Sequence, residues 1–416
     1  MLILAKRPIH PFAPDLHSCN AAPQSRRRSP PSPSGAGVLA LVALSLGATA
    51  ACAGTSNAAA ARPGTPGADD VRTIPPPKTP LPPASATVGV TRFSFIAYGD
   101  TRGRLDGLAL QHEHGLVVAS MLRTIKDRAS GPDAIRFVVS SGDAVLDGTS
   151  AQQWNTSFID VAARLTAEGD VPIFPAAGNH DVAPSKELNA SGRREGLGHF
   201  LSAFGALIPP DGSPLRLAGY PTYATGYGNT FLLVLDSNIA DDPAQYAWVS
   251  GRLAELDRAR YPNIVVAVHH PALSSGPHGG AIVQPQAGVL RARYLPLFRK
   301  HHVRLVLAGH EHFFEHWVER YQDASGHGFR LDEVVSGGGG APPYAYQGEP
   351  DLRDYLKSGA AEKLAVEHLA RPEMNAWENP YHYVVVHVDG TRLRIEVVGV
   401  DAGRDFQPYR SRETEL

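Results

Sequence analysis

The stretch that decides the fold is Phe93-Ser94-Phe95-Ile96-Ala97-Tyr98-Gly99-Asp100, an apolar run that ends in a glycine and a carboxylate. Four later stretches repeat this arrangement, each with an apolar run before a short polar motif: 135–143, 171–181, 264–271 and 303–312. The apolar runs have the length and composition of buried strands. A glycine beside the polar residues lets the backbone turn sharply where a strand stops. The sequence therefore predicts strands that each end in a polar turn.

The polar motifs carry carboxylate, amide and imidazole groups, which are the donors that hard to borderline metal ions prefer. In chain order they are Gly99-Asp100, Gly142-Asp143, Gly178-Asn179-His180-Asp181, His269-His270-Pro271 and Gly309-His310-Glu311-His312. The two cysteines of the 416-residue chain, Cys19 and Cys52, both precede these motifs. Any metal site in the folded part must therefore use oxygen and nitrogen ligands.

The order of the five motifs resembles that of the calcineurin-like metallophosphoesterase superfamily, particularly its purple-acid-phosphatase-like branch. The resemblance covers roughly residues 91–400, and the stretches 227–229, 231–238, 274–279 and 336–342 share it. It implies an α/β fold with two mixed sheets packed face to face and helices outside, a four-layer α/β/β/α sandwich. Composition alone would give only an α/β class.

Several segments between the motifs show helical or hairpin patterns. Apolar positions at helical spacing predict helices over 116–128, 152–167, 245–258 and 294–301. Asp389-Gly390 between two apolar runs predicts a β-hairpin. The segment 182–223 is interpreted as a loop-rich insert and, with Arg193, Arg194, His199 and Phe204, is predicted to form part of a substrate wall. The segment 351–379 is a further insert to which the sequence assigns no role.

The resemblance implies two divalent or trivalent metal ions, Fe, Zn or Mn, with Asp143 as the bridging ligand. Asp100 and His312 match ligands of the first metal, and Asn179, His269 and His310 match ligands of the second. His269 is preferred over His270 because the family places this ligand two residues before the proline. Since side chains alternate along a strand, His270 is then expected to point the other way.

The first metal lacks one ligand that the family pattern would supply. Arg102 stands where most members have a histidine, and Leu146 stands where the purple phosphatases have a tyrosine. Water could fill the position, or another side chain could, with His114 as the leading candidate and His112 behind it, or the first site could be empty. Without a tyrosinate ligand, no purple iron chromophore is expected.

The resemblance also implies a mechanism in which a metal-bridging hydroxide attacks the phosphorus. His180 would protonate the leaving group, and Asp181 would orient the ring of His180. Arg102 could grip a phosphate oxygen, or it could form a structural pair with Asp106 or Asp147. His278 could touch substrate, or it could be an ordinary loop histidine. The glycine run 337–340 does not fit a P-loop, since no Lys-Ser/Thr follows it.

The front of the chain reads as an export signal over residues 1–52, with the basic Arg26-Arg27-Arg28 before the apolar stretch 37–46. Thr49-Ala50-Ala51-Cys52 resembles a lipoprotein processing site with Cys52 as the lipidated residue, and a cleaved soluble signal is the alternative. Residues 53–88 are interpreted as a disordered Ala/Pro/Gly-rich linker, 89–402 as the metallophosphoesterase domain and 403–416 as a C-terminal tail. The expected location is the periplasm or cell surface, with membrane attachment through Cys52, or secretion.

The net charge of −2 offers no electrostatic case for nucleic acid binding. The sequence therefore predicts an exported phosphoesterase of the acid-phosphatase type that acts on a small phosphorylated substrate. A cyclic-nucleotide or other phosphodiesterase on the same site is the near alternative. A non-catalytic surface lipoprotein that binds phosphate or a glycan is the alternative of another class.

Overall fold

The apolar runs that precede the polar motifs fold into strands, as predicted. The computed structural model describes residues 70–102, 111–182, 190–279, 283–400 and 408–416. The strands in these ranges are β1 Arg92–Tyr98, β2 Ile135–Ser140, β3 Ile173–Pro175, β4 Tyr223–Tyr227, β5 Thr230–Val234, β6 Asn263–Ala267, β7 Leu305–Ala308, β8 Phe314–Gln322, β9 Gly328–Ser336, β10 Ala365–Ala370, β11 Tyr381–Asp389, β12 Arg392–Val400 and β13 Pro408–Glu415.

The strands form two mixed sheets. A six-stranded sheet has the order β13-β12-β11-β1-β2-β3, and a seven-stranded sheet has the order β10-β8-β9-β7-β6-β5-β4. Strands β1, β2 and β3 run parallel to one another, as do β5, β6 and β7. Parallel neighbours end at the same edge of a sheet, so the polar turns after β1, β2 and β3 meet at one edge and those after β6 and β7 meet at another.

Helices lie between the strands. They are α1 His112–Asp127, α2 Asp160–Ala167, α3 Asn179–Val182, α4 Ser191–Phe204, α5 Pro243–Ala254, α6 Pro285–Val289, α7 Leu295–Lys300 and α8 Arg353–Ser358. Turns of π-helix, Gln153–Ile159 and Leu290–Tyr294, lead into α2 and α7. The four predicted helices correspond to α1, α2 with its π turn, α5 and α7. The segment 182–223, expected to be loop-rich, instead contains the 14-residue helix α4.

Three apolar clusters separate four layers, which confirms the predicted sandwich. Along β1, Phe93, Phe95 and Ala97 face a cluster shared by the two sheets. The alternating Ile96 and Tyr98 face a second cluster shared with α1, α2 and α4. A third cluster packs α5 and α7 against the seven-stranded sheet. The alternation along β1 thus places one face of a single strand in each of two cores.

The predicted hairpin at Asp389-Gly390 joins β11 and β12, which pair antiparallel along their whole length. Gly390 has a positive φ of 64° there, as a tight turn requires. On this hairpin, Glu396 accepts hydrogen bonds from His387 Nε2 at 3.1 Å and from Arg128 at 2.8 Å. These hydrogen bonds lower the pKa of the Glu396 carboxyl to about 2, and the one from His387 has the largest effect. Burial acts in the opposite direction.

The folded part begins earlier than the predicted boundary at residue 89. Val71 and Ile74 are buried in the helix-side core, and the Ile74 amide donates to the Ala203 carbonyl. Thr73 Oγ1 donates to the Ser202 carbonyl. Residues 70–88 therefore do not form a linker, because Val71 and Ile74 pack into the core beside α4, a contact that composition cannot reveal.

The final residues do not form a separate tail, because β13 extends the six-stranded sheet by pairing antiparallel with β12. The predicted export signal and Cys52 lie outside the described residues. Among the helices that are described, none is long and apolar enough to cross a membrane.

Candidate metal centre

The polar turns place their side chains in one buried site between the two sheets. Asp100 follows β1, Asp143 follows β2 and Asn179 follows β3, while His269 follows β6 and His310 follows β7. All but Asn179 have less than a tenth of their surface exposed. Backbone hydrogen bonds tie the turns together, such as Asp100 N to Gly142 O at 2.9 Å and Gly309 N to His269 O at 3.0 Å.

Three of these side chains stand on left-handed backbone. The φ angles of Asp100, Asp143 and His310 are 58°, 54° and 70°. Non-glycine residues rarely adopt this region, and such strain persists where the surrounding structure fixes it, which is common at functional sites. The close approach of the turns adds a further constraint, because a Cβ on Gly178 would lie 2.2 Å from the Asp143 amide nitrogen.

His269 Nε2 is the point at which four donor atoms meet. Asn179 Oδ1 lies 2.9 Å from it, His310 Nδ1 3.1 Å and Asp143 Oδ1 3.3 Å. The structure thus brings together the residues that the sequence analysis assigned to the second metal, including the bridging Asp143.

The hydrogen bonds on the far side of each ring show that these donor atoms carry lone pairs. His269 Nδ1 donates to the Ser141 carbonyl at 2.9 Å, so its Nε2 is unprotonated. His310 Nε2 donates to Gln284 Oε1 at 3.1 Å, which leaves Nδ1 unprotonated. Two imidazole lone pairs, a carboxylate oxygen and an amide oxygen then point at one another without a proton between them. This arrangement fits a bound cation, and the mixed nitrogen and oxygen set suits Zn, Mn or Fe.

His270 does not point away from the site, contrary to the expectation from strand alternation. β6 ends at Ala267, so the alternation no longer holds at His270. Its ring centroid lies 5.0 Å from that of His269 and 4.4 Å from that of His310, and the three residues could share an ion. Ser237 Oγ holds the ring, lying 2.8 Å from His270 Nδ1.

The side chains expected around the first metal are also close to one another. His312 Nε2 lies 3.6 Å from Asp100 Oδ1, and Asp100, Asp143 and His269 are near enough to share an ion. His312 Nδ1 donates to the Pro342 carbonyl at 2.8 Å, so Nε2 presents its lone pair to the carboxylate. The ring of Tyr344 stacks on His312 with centroids 3.9 Å apart.

The buried carboxyl groups of Asp100 and Asp143 repel each other when both are ionised. Burial, and then the charge of Asp143, raise the pKa of Asp100 well above its ordinary value. Burial also acts to raise the pKa of Asp143, but His269, His180 and Arg102 together lower it to about 2. A cation between the two carboxylates would relieve their repulsion.

Asp181 does not orient the ring of His180, and this part of the predicted mechanism is wrong. Asp181 Oδ2 accepts the amides of Asp143 and Gly178, both at 2.9 Å, and Oδ1 accepts the amide of Ala144 at 2.8 Å. Its carboxylate is therefore occupied in holding the turns that carry Asp143 and Asn179. Burial, and then the charge of Asp143, raise the pKa of Asp181 to about 7.

The ring of His180 is instead oriented by a backbone carbonyl. His180 Nδ1 donates to Leu146 O at 2.7 Å, and its own amide donates to Asp143 Oδ1 at 3.0 Å. Leu146 thus acts through its carbonyl at the position where a tyrosine ligand was considered.

Arg102 lies at the first-metal side of the centre. Its Nε is 3.5 Å from Asp143 Oδ2, and the side chain is only 11% exposed. Neither structural pair proposed from sequence is found among the described residues, since Asp147 accepts from Thr149 and Asp106 lies outside them.

His114 is not at the metal centre, which corrects its assignment as the leading replacement ligand. Its ring lies between those of Tyr98 and Phe158 in the helix-side core, with centroid distances of 6.0 and 5.6 Å. Burial lowers the pKa of His114 to about 3, so the ring is neutral. His112 is exposed at the start of α1.

His278 lies at the rim of the centre. Its ring centroid is 4.5 Å from that of His310, and its side chain is 31% exposed. The buried Glu311 accepts from the His278 amide at 2.8 Å and lies 3.3 Å from its Nδ1. The loop histidine is therefore fixed in place beside the site.

The residues that hold the ligands in place could not be found from the sequence. No local pattern in the sequence marks Gln284, Ser141 or Tyr344. Glu311 lies within the Gly309–His312 motif, but the sequence assigned it no role. Another support lies behind Asn179: the Asn238 amide donates to the carbonyls of Ala177 and Gly178 at 3.2 and 3.3 Å.

Of the four residues named for the predicted substrate wall, Arg194 is exposed and His199 is half-buried, with its Nδ1 donating to the Gly148 carbonyl at 2.9 Å, whereas Arg193 and Phe204 face the interior. Arg193 in α4 forms a buried ion pair with Asp236, whose Oδ1 accepts from the amide group of Asn238 at 2.9 Å. Arg193 and Phe204 are both fully buried. Neither can contact a substrate, because α4 turns them toward the protein interior.

Residues 95–314 match the sequence model of the calcineurin-like phosphoesterase family. Among solved structures, the purple acid phosphatase PPD1 from yellow lupin (Lupinus luteus) seeds is similar, with a TM-score of 0.53 and 18% identity, over 77% of this chain and 53% of that one. This chain thus spans about half the length of the lupin protein, and the likeness concerns the fold.

Two further structures match more weakly. GAP50, the anchor in the inner membrane complex of Plasmodium, has a TM-score of 0.46 and 14% identity, over 78% of this chain and 89% of that one. A predicted phosphoesterase from Streptococcus pneumoniae has a TM-score of 0.29 and 11% identity, over 78% and 97%. No curated protein matches this chain.

Proposed function

Because this chain belongs to the calcineurin-like phosphoesterase family, we propose that it hydrolyses phosphate esters outside the cytoplasm, at the centre around His269. It is a hydrolase acting on phosphoric ester bonds, and the finer proposal concerns its metal, its substrate class and its location. The observation that carries the proposal is the convergence of unprotonated Asp143, Asn179 and His310 atoms within 3.3 Å of His269 Nε2.

These four residues would hold the metal. When bound, a metal of this kind lowers the pKa of a coordinated water toward 7 and neutralises charge on the phosphoryl oxygens. The contribution of the chain is to fix the donors in advance. Carbonyl and amide oxygens on the far side of the histidine rings set their tautomers, which raises the basicity of the donor nitrogens.

His180 would protonate the leaving alkoxide. The Leu146 carbonyl keeps the proton of His180 on Nδ1, so the opposite nitrogen can donate only when the ring is an imidazolium. The Asp143 carboxylate that accepts from the His180 amide provides nearby negative charge for that imidazolium. The hydrogen bond from the His180 amide to Asp143 also fixes the distance between His180 and the metal centre.

Arg102 and His278 would contact the phosphate group. Arg102 brings a positive charge to the centre, with its Nε 3.5 Å from Asp143 Oδ2, and a guanidinium can bind two phosphate oxygens at once. His278 lies on the His310 side and is exposed enough to reach a ligand. Two cationic or polar groups beside the centre suit a small monoester, and a phosphodiester is the near alternative.

We propose export on the evidence of the sequence alone. The basic residues 26–28, the short apolar stretch 37–46 and Cys52 have the order of a lipoprotein signal. Attachment through an acyl chain on Cys52 would place the enzyme at the periplasmic or cell surface. Labelling with a radioactive fatty acid tests this, and loss of the label in a Cys52→Ser variant is expected.

The activity is tested with p-nitrophenyl phosphate and bis-p-nitrophenyl phosphate after chelation and after addition of Mn, Zn or Fe. We expect metal-dependent hydrolysis, faster on the monoester, and its loss in His269→Ala. The matched control is His327→Ala, which removes an exposed histidine in the β8–β9 turn. A protein with bound metal and no hydrolysis of either ester would instead support a non-catalytic role in binding phosphate.

A further inference from the structure

The two halves of the centre differ in what they offer a cation. On the His269 side, four unprotonated donors face one another. On the other side, the donors are Asp100, Asp143 Oδ2 and His312, and the structure supplies no fourth one among the described residues. His114 stacks in the core, His112 is exposed, and Leu146 turns its carbonyl to His180.

A positive charge already lies on the side of the centre that has fewer donor atoms. Arg102 Nε is 3.5 Å from Asp143 Oδ2, while Asp143 Oδ1 is 3.3 Å from His269 Nε2. Asp143 therefore divides its two oxygens between a donor cluster and a guanidinium. The Arg102 side chain is only 11% exposed, and its Nε finds no hydrogen-bond partner in the part of the chain that the structure describes.

The chemistry of this position accounts for the arrangement. Two carboxylates and the lone pair of His312 lie together in a buried place, and such groups need a compensating cation. Arginine stays protonated in proteins and can fill this need permanently. A divalent ion at the same place would be repelled by the guanidinium, and among the described residues Asp100, Asp143 and His312 are the donors left to hold it once His269 binds the other ion.

We infer that Arg102 takes the place of the first metal and that the centre holds one metal ion, bound by Asp143, Asn179, His269 and His310. The inference rests on the proposed function for the presence of that ion. The fixed charge of the guanidinium replaces the charge of the second ion toward the phosphoryl oxygens. One metal ion held by these four residues would supply the activation of the attacking water.

The test counts metal ions in the full chain. The chelated protein is dialysed against Mn²⁺, and bound manganese is measured by mass spectrometry and by electron paramagnetic resonance. We expect about one equivalent in the wild type, without exchange coupling between manganese ions. Arg102→His introduces an imidazole and removes the charge, and we expect it to bind a second equivalent with exchange-coupled spectra. Arg102→Lys keeps the charge and should stay at one.

Each outcome separates the inference from the proposed function. Two coupled equivalents in the wild type would overturn the inference and leave the proposed function intact. One equivalent in both the wild type and Arg102→His would also overturn it, because Arg102 would then not be what excludes the second ion. The same count is repeated with zinc and with iron, and a wild type that binds none of the three metals would overturn the proposed function itself, and the inference with it.

Discussion

Asp181→Asn is expected to destabilise the protein, because the Asp181 carboxylate accepts backbone amides on both of its oxygens. Asparagine has one oxygen that can still accept backbone amides. Its NH₂ group takes the place of the other oxygen and must face amides that have no acceptor. If Oδ1 is kept, the amides of Asp143 and Gly178 lose their acceptor, since both bind Oδ2 at 2.9 Å. Each buried donor left unsatisfied costs about 1–3 kcal/mol, so we expect a loss of roughly 2–6 kcal/mol.

The assay is urea unfolding of the chelated protein, followed by circular dichroism at fixed pH. The matched control is Asp147→Asn, because Asp147 accepts from Thr149 through one oxygen that asparagine retains. We expect the control to stay within about 0.5 kcal/mol of the wild type. Metal titration of Asp181→Asn should also show weaker binding, since the turns carrying Asp143 and Asn179 lose their shared anchor.

A different result would support the role that the sequence predicted. If Asp181 oriented the His180 ring, Asp181→Asn would lower the catalytic constant and leave the unfolding midpoint and metal affinity close to those of Asp147→Asn. That combination would refute the structural account of this carboxylate.

His180→Ala should lower kcat about 10²–10⁴-fold with an unchanged metal content by mass spectrometry; loss of metal as well would show that the residue is structural. Gly196→Ala should cost about 1–3 kcal/mol in urea unfolding, because its Cβ would lie 2.7 Å from a backbone oxygen, whereas Gly198→Ala, with open space around it, should gain up to about 1 kcal/mol. Ile74→Ala should lower the free energy of unfolding by about 2–5 kcal/mol if residues 70–88 are part of the folded unit. An unchanged urea midpoint would show that they are a linker after all. Since the pKa of Glu396 falls from 4.5 to about 2 on folding, its contribution, of about 1–3 kcal/mol, should be complete above pH 4.5 and disappear as the pH falls toward 2; the comparison is with Glu396→Gln across this range, and an equal difference at every pH would contradict it.

The strands and their polar ends could be predicted because both signals are local. Five apolar runs became β1, β2, β3, β6 and β7, and the order of motifs identified the fold. The candidate ligands met because parallel strands end at a common edge, a geometric rule that needs no knowledge of distant contacts.

Features that depend on distant contacts could not be read in this way. The role of Asp181 is set by amides on a different turn, so its neighbour in sequence, His180, was a misleading guide. His114 has the spacing of a helix start near Asp100, but the packing of Tyr98 and Phe158 determines where its ring lies. Helix α4 was missed because glycines at 192, 196 and 198 weaken its pattern, while its buried Arg193 is satisfied only by Asp236 on another segment.

The early start of the folded part also sets how far the enzyme could stand from a membrane. If Cys52 is acylated as we propose, only about 17 residues separate it from Asp70, and a chain of that length reaches at most about 60 Å. The beginning of the folded part would then stay within about 60 Å of the lipid, so a freely diffusing small ester would reach the enzyme, whereas a substrate fixed farther from the membrane would have to be released first.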